Sequence, residues 1–372
     1  MSKDDYGGNI KVGSKYHMFR KFQETLSFDD VLLVPRYSDI LSRVEVDTRT
    51  VLSNNKKTFS LSIPIMSANM DTVTESEMAI VMAKMGGLGI IHRFLSVSEQ
   101  VAEVKKVKAQ NLLVGAAVGV KEGERDRVRA LVEAGVDLLA LDIAHGHSKF
   151  ALEKVRFIKK EFPLVFVVAG NVATAEGFKD LVKAGADAVK VGIGAGSICT
   201  TRIVTGFGIP QISAILNCAP VAKKTRVSLI SDGGIKSSGD IVKALAAGAD
   251  AVMMGNVIAG TDEAPGKMIE IEGKKYKSYR GMASLQANLN RPDVKQNQDE
   301  IIEEGVSAYV AYKGKAEDII KKMVGGMRSG LSYAGARNIR ELQERAMFVK
   351  ISQAGLRESN AHDVFILNGE NK

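Results

Sequence analysis

A glycine-rich stretch at residues 191–202, VGIGAGSICTTR, carries the side chains with the clearest chemical potential in this chain. Its cysteine, Cys199, is followed by the hydroxyls of Thr200 and Thr201 and then by Arg202. A thiolate is a strong nucleophile, and neighbouring polar and cationic groups can stabilise it. Glycine loops are common and weak signals, however. The stretch therefore predicts either a nucleophilic cysteine or an inert one in a strand-to-helix connection.

The glycines of this stretch, Gly192, Gly194 and Gly196, indicate that the backbone itself binds something. Glycine allows positive φ and close approach of the main chain to a ligand. Successive N–H groups in such a turn form a concavity suited to phosphate. Carbonyl groups turned inward would instead hold a monovalent cation, and the residues leave both alternatives open.

The composition is that of a globular protein with a large core. The chain has 372 residues, of which 45% are hydrophobic and 25% charged, enough for one large domain or two ordinary ones. No apolar run approaches the roughly 18 to 20 residues needed to span a bilayer. The polar start, MSKDDYGGNIKVGSK, lacks the apolar region of a signal peptide. We therefore expect no membrane association and a cytoplasmic location.

The charge pattern and the cysteines exclude several other classes of function. The net charge is +8, but the lysines are spread along helix faces without interleaved aromatic residues, so we expect no nucleic-acid partner. Two cysteines make no disulfide framework, and Cys218 lies in an apolar helical pattern typical of packing. The neighbouring His145 and His147 are interpreted as structural histidines.

Short apolar runs alternate with amphipathic segments along most of the chain. Continuous apolar strands separated by helices imply a parallel sheet buried on both faces. Eight such units predict a (β/α)8 TIM barrel. A doubly wound open sheet is the alternative, although no GxGxxG opens the first unit. The predicted strands are 61–66, 87–92, 112–119, 138–142, 164–170, 188–192, 227–232 and 251–255, and the predicted helices include 75–84, 98–107, 124–134, 149–160 and 175–184.

Local signals mark some of the ends of these elements. Ser98 is predicted to be the N-cap of the second helix. The tetrapeptide AGVD at 134–137 recurs as AGAD at 184–187 and 247–250, with glycine as the expected helix C-cap.

The barrel prediction explains where the polar residues stand. Active sites of this fold lie at the carboxyl ends of the strands, and phosphate usually binds after strands 7 and 8. The sequences SDGG at 231–234 and MGN at 254–256 occupy those positions. The alternative is that the Asp and Asn residues merely cap the following helices. Residues at the predicted strand ends include Asn69, Met70, Asp71, His92, Arg93, Asp142, Asn171, Asp232, Gly255 and Asn256.

The domain prediction is a single catalytic barrel at residues 26–364. Residues 1–25 are an N-terminal arm, residues 26–40 are predicted to cover one end of the barrel, and 365–372 form a tail. After strand 8, residues 268–284 predict a hairpin with Glu272 and Gly273 at its turn, and a helix is expected at 316–323. The polar stretch at about 285–303 predicts a mobile flap, since long irregular segments in compact domains are often functional.

Nine motifs together resemble the IMP dehydrogenase/GMP reductase family over nearly the whole chain. This resemblance implies a barrel enzyme, usually a homotetramer, that uses a nicotinamide cofactor, NADPH or NAD(H), on a purine 5′-monophosphate, GMP or IMP. The regulatory CBS pair found in many dehydrogenases is missing. The motifs are SANMDTVTESEMA (67–79), DIAHGHS (142–148), AGNVAT (169–174), VGIGAGSICTTR (191–202), ISDGGIKSSGDIVKALAAGADAVMMGN (230–256), YRGMAS (279–284), EEGVS (303–307), GGMRSG (325–330) and GLRES (355–359).

The resemblance also implies roles for individual residues. Cys199 would be the nucleophile that attacks C2 of the purine, and Thr201 would relay protons, with Glu303 or Glu304 as its acidic partner and Glu304 as our choice. Asp232 would hold the ribose hydroxyls. The remaining implied roles are phosphate and substrate binding by Ser197, Gly233, Gly234, Gly255, Asn256, Tyr279 and Gly281, base contacts by Met70, Met282 and Glu304, cofactor binding by Asp142, Ile143, Ala144 and Asn171, and potassium binding by the carbonyls of Gly192, Gly194 and Cys199.

Two reactions share the implied cysteine intermediate. Dehydrogenases oxidise IMP with NAD⁺ and then hydrolyse the intermediate with an Arg-Tyr pair on the flap, whereas here Arg291 precedes Pro292 and the flap has no Tyr. Asn69 and the GMAS and EEGVS motifs are also similar to reductases, while AHGHS and GLRES are similar to dehydrogenases. We therefore predict a GMP reductase, with IMP dehydrogenase as the alternative and a non-catalytic nucleotide-binding barrel as a third possibility.

Overall fold

The computed structural model describes residues 24–121, 123–289, 302–362 and 364. Two 3-10 helices, Phe28–Asp30 and Arg43–Glu45, lie near its start. The other elements in chain order are β1 (Val31–Leu33), β2 (Thr50–Ser53), β3 (Thr58–Leu61), β4 (Ile65–Ser67), α1 (Ser76–Lys84), β5 (Leu88–Ile91), α2 (Val97–Lys108), β6 (Gly115–Val118), α3 (Glu124–Glu133), β7 (Leu138–Asp142), α4 (Lys149–Glu161), β8 (Phe166–Val172), α5 (Ala175–Ala184), β9 (Ala188–Val191), α6 (Thr201–Thr205), α7 (Gln211–Thr225), β10 (Ser228–Asp232), α8 (Ser238–Ala246), β11 (Ala251–Met254), β12 (Met268–Ile271), β13 (Lys274–Arg280), α9 (Leu285–Leu289), β14 (Ser307–Ala311), α10 (Ala316–Tyr333), α11 (Ile339–Arg345), β15 (Phe348–Lys350) and α12 (Gln353–Glu358).

Strands β4 to β11 close into one parallel barrel. Each strand pairs with the next in the chain, and β11 returns to pair with β4 through Val252 opposite Ile65. All eight correspond to predicted apolar runs, with ends that differ by a few residues. The (β/α)8 prediction is confirmed, and the doubly wound alternative is wrong because an open sheet would leave β4 and β11 unpaired.

The barrel has an inner and an outer core because strand side chains alternate between its two faces. On β7, Leu138 and Ala140 belong to the inner cluster, whereas Leu139 and Leu141 pack under the helices. All four side chains are fully buried. This two-sided burial explains why the strands read as continuous apolar runs in the sequence.

A hairpin that the sequence did not predict, β2 with β3, closes the amino-terminal end of the barrel. Leu52 and Leu61 join the inner core, and the rings of Phe59 and Phe166 lie 5.5 Å apart. The Thr50 hydroxyl donates to the carbonyl of Asp250 at 2.7 Å. Residues 26–40 were predicted to cover one end of the barrel, and Ser27, Phe28 and Asp29 lie beside a cavity at the carboxyl end.

Two helix ends differ from the prediction for identifiable reasons. Helix α2 begins after Ser96, whose hydroxyl accepts from the Glu99 N–H at 3.2 Å while Glu99 accepts from the Ser96 N–H. The predicted N-cap, Ser98, is therefore wrong, because the reciprocal bonds start the helix two residues earlier. Helix α10 continues past the predicted end at residue 323, because its glycines allow it to pack closely on α8.

The chain after the barrel is built on a three-stranded sheet of β12, β13 and β14. The predicted hairpin is confirmed, with Glu272 at φ 50° and Gly273 at φ 74° in its turn. Of the predicted flap, α9 and residues 302–303 are described, and 290–301 lie outside the described residues. Most of the predicted arm and all of the predicted tail also lie outside them. Within the described ranges, no helix is long and apolar enough to span a membrane.

Candidate active site

The carboxyl ends of the barrel strands surround a two-part cavity. One part, of about 330 Å³, lies over the ends of β10 and β11, and the other, of about 360 Å³, extends over β5, β7 and β8. The two parts share Met70, Asp232, Gly233 and Tyr279, so that they form one continuous site. The active site therefore lies at the end of the barrel at which this fold places its catalytic residues.

Cys199 lies in the second part of the cavity and begins a chain of hydrogen bonds. Its Sγ contacts the Thr201 Oγ1 at 3.1 Å, and the Thr201 hydroxyl donates to the Glu304 Oε2 at 2.8 Å. Cys199 is partly exposed to the cavity. A thiol, a hydroxyl and a carboxylate within hydrogen-bond reach of each other can pass a proton between the sulfur and Glu304.

Two short main-chain contacts hold this chain of groups in place. The Thr200 N–H donates to the Glu304 carbonyl at 2.9 Å, and the Val306 N–H donates to the Ile198 carbonyl at 3.1 Å. This β-bridge fastens residues 304–306 against the cysteine loop.

The same region distinguishes Glu303 from Glu304, the two residues that the sequence left open as the acidic partner of Thr201. The Glu303 carboxylate accepts from the Leu285 N–H at the start of α9, at 3.3 Å, whereas Glu304 contacts Thr201. Glycine favours the close approach of the two segments here, because a Cβ on Gly281 would lie 3.2 Å from the Cα of Gly305, a tight contact. The structure therefore brings Glu304, and not Glu303, to the threonine.

Glycine-rich turns and hydroxyl groups line the first part of the cavity. Gly233 and Gly234 have φ of 106° and 80°, which side chains rarely adopt. The Tyr279 hydroxyl lies 3.4 Å from the Ser197 Oγ. Burial raises the pKa of Tyr279 to about 12, so that its hydroxyl keeps its proton and remains a donor. Gly255 and Asn256 complete a lining of backbone amides and hydroxyls suited to an anion.

A buried lysine that the sequence analysis missed joins two of the predicted site residues. Lys190, on β9, is 2% exposed, and its Nζ donates to the Asp142 Oδ1 at 2.6 Å and the Asp232 Oδ2 at 2.7 Å. The available signal was a lysine inside a strand that must be buried on both faces. Such a residue needs a carboxylate partner, so its position predicts an ionic centre inside the barrel.

The charges of this centre shift its ionisation. Burial disfavours the Asp142 carboxylate, but Lys190 and, more weakly, Arg93 outweigh burial and hold the pKa of Asp142 below its ordinary value. Burial likewise disfavours the Lys190 ammonium, but Asp142 and Asp232 outweigh it and raise the pKa of Lys190. Asp142 and Lys190 are therefore both charged at neutral pH, and the Asp142 and Asp232 side chains both line the cavity, where they can accept from ligand hydroxyls.

The residues predicted for the cofactor lie together in the second part of the cavity. Asp142, Ile143, Ala144 and Asn171 line it alongside Cys199. The Asn171 amide donates to the Asp232 Oδ2 at 2.9 Å, while its Oδ1 is buried and has no partner among the described residues. The acidic side chain of Asp142 and the unpaired amide oxygen of Asn171 are hydrogen-bond acceptors. They fit a ribose and a carboxamide, because both of these groups carry hydrogen-bond donors.

The predicted base-contacting residues meet across the cavity from different parts of the chain. Met70 follows β4, and Met282 lies in the loop after β13. The Arg280 Nε donates to the Asp71 Oδ2 at 2.7 Å, and the Asp71 N–H contacts the Met282 Sδ at 3.4 Å. This ion pair holds the 279–284 loop, including Gly281, over the end of β4.

The residues predicted to bind potassium lie on the cysteine loop. Gly194 has φ 73°, and the Gly192 carbonyl accepts from the Asn171 amide at 2.8 Å. Carbonyl oxygens are the donor type that a monovalent cation prefers, and a carbonyl oxygen has a second lone pair for it. The donor set fits a cation.

Residues interpreted as structural lie away from the cavity or have protein partners. Cys218 is fully buried in α7, and burial raises the pKa of its thiol to about 12, which confirms the packing interpretation. The His147 Nε2 lies 3.2 Å from an Asp180 carboxylate oxygen on α5.

Comparison with known proteins identifies the family. The model of the IMP dehydrogenase / GMP reductase domain matches residues 25–362. The inosine-5′-monophosphate dehydrogenase of Aquifex aeolicus (strain VF5) is 42% identical, covering 93% of this chain and 97% of that protein. The GMP reductase of Leishmania major is 38% identical, covering 92% of this chain and 97% of that protein.

A solved structure supports the same conclusion. A cysteine-to-alanine variant of GMP reductase from Trypanosoma brucei, in complex with guanosine 5′-monophosphate, matches with a TM-score of 0.87 and 36% identity, covering 92% of this chain and 99% of that one. The alignment to the Aquifex protein extends over 479 positions, more than this chain contains, so that relative carries inserted residues that this chain lacks. The chain therefore belongs to the IMP dehydrogenase / GMP reductase family of oxidoreductases, which use NAD(P)(H) as a nucleotide cofactor.

Proposed function

We propose that this protein is a GMP reductase, which converts GMP and NADPH to IMP, ammonia and NADP⁺. The observation that carries this choice is the sequence of residues 285–303, which contains no Arg-Tyr pair to activate water for hydrolysis. In the absence of such a base, Thr201 and Glu304 are the groups that would transfer protons next to the thiol. Their geometry suits protonation of a leaving amine.

The first half of the reaction forms a bond between the Cys199 sulfur and C2 of the purine. The thiol proton moves through the Thr201 hydroxyl towards Glu304 as the sulfur attacks. The same relay then returns a proton to the amine on C2, the C2–N bond breaks, and ammonia leaves. This leaves a thioimidate on Cys199, with one proton taken from the thiol and one given to the leaving group.

The second half releases the product. When bound, the nicotinamide supplies a hydride to C2. A C–H bond then replaces the C–S bond, the Cys199 thiolate departs, and IMP is formed. The role of the protein in this step is to keep the thioimidate facing Asp142 and Asn171 and to exclude water, which would otherwise hydrolyse it.

Each part of the nucleotide has a candidate partner in the cavity. The phosphate would occupy the part lined by Ser197, Gly234, Gly255, Asn256 and Tyr279. The Asp232 carboxylate would accept from the ribose hydroxyls, and the base would lie between Met70 and Met282. Asp142, neutralised in part by Lys190, would accept from the ribose of the nicotinamide.

Potassium and a homotetramer belong to the same proposal. The Gly192, Gly194 and Cys199 carbonyls would hold the ion and thereby order the cysteine loop. Activity in potassium should then exceed activity in a bulky organic cation at equal ionic strength. Light scattering on the purified chain tests the tetramer.

Two coupled assays test the reaction. With GMP and NADPH, we expect loss of the reduced cofactor and release of ammonia in equal amounts. With IMP and NAD⁺, we expect slow or no formation of the reduced cofactor. Turnover in the second assay alone would contradict the proposal.

IMP dehydrogenase is the second candidate. The observation that favours it is the 42% identity to the Aquifex dehydrogenase, above the 38% to the Leishmania reductase. The paired assays separate the two reactions directly. A non-catalytic barrel would bind both nucleotides and turn over neither.

A further inference from the structure

Two lysines lie behind the phosphate end of the cavity and do not line it. Lys277, on β13, is buried, and Lys313, just after β14, is half-buried. Both belong to the three-stranded sheet that follows the barrel. Lys277 lies two residues before Tyr279 on the same strand, so that both side chains point to the same face.

Both ammonium groups donate to main-chain carbonyls of a single loop. The Lys277 Nζ donates to Thr261 at 2.7 Å, to Asp262 at 3.0 Å and to Ala264 at 2.5 Å. The Lys313 Nζ donates to the carbonyls of Asn256 and, at 3.2 Å, Val257. These five carbonyls all belong to the loop at residues 255–264, which connects β11 to the sheet.

The loop begins with two residues of the proposed phosphate site, Gly255 and Asn256. Its first residues form a tight turn, in which the Ala259 N–H donates to the Gly255 carbonyl at 2.9 Å. The Asn256 and Val257 carbonyls that accept from Lys313 belong to this turn, and each lies in a planar peptide group, so the ammonium restrains the turn that begins with Gly255 and Asn256. Lys313 does so without lining the cavity itself.

Burying these ammonium groups is unfavourable in free energy unless their hydrogen bonds offset the lost hydration. Burial lowers the pKa of Lys313 to about 8 and also lowers the pKa of Lys277. Hydrogen bonds from a charged donor are stronger than neutral ones, which suits them to hold a loop in one conformation. An apolar residue would fill the space at lower desolvation cost but would leave the carbonyls without these partners.

We propose that Lys313, assisted by Lys277, is a positioning residue for phosphate recognition, because it holds the turn that presents Gly255 and Asn256 to the 5′-phosphate. This inference rests on the proposed nucleotide site but not on which of the two reactions occurs there. It concerns the phosphate alone, so the ribose and the base should bind independently of it.

Equilibrium binding with and without the phosphate tests this role. The wild-type protein should bind GMP more tightly than guanosine, and IMP more tightly than inosine. Lys313→Met should weaken binding of both monophosphates by about tenfold, the effect of losing one hydrogen bond from the displaced turn to the charged phosphate, and leave nucleoside binding nearly unchanged. Lys313→Arg, which keeps the charge and the donors, should recover part of the affinity.

The matched control is Lys154→Met. Lys154 is a buried lysine on α4 whose Nζ donates to the Lys121 carbonyl at 3.2 Å, far from the loop in the sequence and outside both cavity linings. This control should leave the phosphate preference intact. If Lys313→Met fails to fold, as judged by circular dichroism, Lys277→Met decides, and it should again weaken binding of the monophosphates selectively.

Two results would overturn the inference, and they are distinguishable. A folded Lys313→Met that keeps the full preference for phosphate, or loses nucleoside and nucleotide binding equally, would refute the role of the lysine alone. A wild-type protein without any preference for the phosphate would refute the proposed phosphate site and the inference together.

Discussion

At the scale of single residues, Lys190 links the two halves of the candidate site. Its ammonium contacts both Asp232, proposed for the substrate ribose, and Asp142, proposed for the cofactor ribose. Because the ammonium donates to both side chains, it lowers the repulsion between them and lets both also accept hydrogen bonds from a ligand. A single cation therefore sets the distance between the two subsites.

A prediction at this scale concerns the relay to the thiol. Glu304→Gln keeps the size of the side chain but removes the carboxylate that accepts from Thr201. If Glu304 supplies the proton for the leaving amine, kcat should fall by about 100-fold or more, the usual effect of losing a general acid. The KM for GMP should change much less than kcat, because Met70 and Met282 would also contact the base, and steady-state kinetics with GMP and NADPH measure both.

Glu303→Gln is the matched control for this variant. Its carboxylate faces the Leu285 N–H and not Thr201, so kcat should stay within a fewfold of the wild-type value. Equal losses in the two variants would show that the flap as a whole, and not the Thr201–Glu304 contact, supports turnover.

At the scale of elements, the repeated AGxD motif joins neighbouring strands at the amino end of the barrel. The glycines, Gly135, Gly185 and Gly248, all have positive φ. The predicted glycine C-cap is confirmed in α5, whereas in α3 and α8 the C-cap is the alanine before the glycine. Asp137, Asp187 and Asp250 each accept from a main-chain N–H at the start of the preceding strand, at 2.9, 2.7 and 2.9 Å. Each therefore fixes the register of one strand against the next.

The three aspartates differ in their charged partners. Asp137 pairs with Lys108 and Asp187 with Lys159, whereas Asp250 accepts from the Leu229 N–H and the Ser228 hydroxyl. Burial of its carboxyl outweighs these bonds and raises the pKa of Asp250 to about 6. The folded state therefore binds this proton more tightly than the unfolded chain, and the resulting stabilisation is complete below the unfolded pKa and lost as the pH rises through 6.

Asp250→Asn removes this pH dependence of stability, because the buried amide is neutral at every pH. The free energy of unfolding of the variant, relative to the wild type, should rise by about 1–3 kcal/mol between pH 4 and pH 8. Denaturant titrations at the two pH values measure it. Asp187→Asn is the contrast, because it leaves the half-buried Lys159 ammonium without its carboxylate partner and should destabilise the fold at pH 8. A flat pH profile for Asp250→Asn would contradict the assignment.

Two adjacent glycines of α10 give a second prediction at this scale. A Cβ on Gly326 would lie 2.1 Å from the Ser238 Oγ and 2.5 Å from its Cβ on α8, whereas one on Gly325 would meet nothing within 4 Å. Gly326→Ala should therefore destabilise the fold by about 1–3 kcal/mol through overpacking. Gly325→Ala should stabilise it by about 0.5–1 kcal/mol, since alanine favours the helix. Thermal unfolding of the pair measures both, and equal effects would refute the close packing of α8 on α10.

At the scale of the whole molecule, periodicity predicted the barrel because its strands, such as β7, are buried on both faces, and the long helices between them, such as α5, on one. The β2–β3 hairpin was not predicted because residues such as Thr50 and Asn54 are polar where they hydrogen-bond to the amino-terminal end of the barrel. Lys190 was not predicted as a site residue because it lies in an otherwise apolar strand. Ser98 was wrongly predicted as the N-cap because the reciprocal hydrogen bonds between Ser96 and Glu99 were not considered. Contacts distant in sequence decided the first two, and a local pair three residues apart decided the third.

The sequence predicted many of the residues that line the cavity, but neither Lys190 nor the contacts between these residues. Motifs placed Cys199, Thr201, Asp232 and Tyr279 at strand ends, and the barrel brings them to one cavity. The choice between Glu303 and Glu304 depended on how the 302–306 segment pairs with the cysteine loop, which no local pattern reveals. The whole fold is therefore needed to connect the flap to the nucleophile.

The central claim is that Cys199 bonds covalently to the purine ring, and intact-mass spectrometry tests it most directly. The protein would be incubated with a purine 5′-monophosphate that carries a leaving group on the ring, and then denatured and weighed. The account predicts one adduct in the wild type and in Cys218→Ala, and none in Cys199→Ala. An adduct that survives in Cys199→Ala, or no adduct in the wild type, would contradict it.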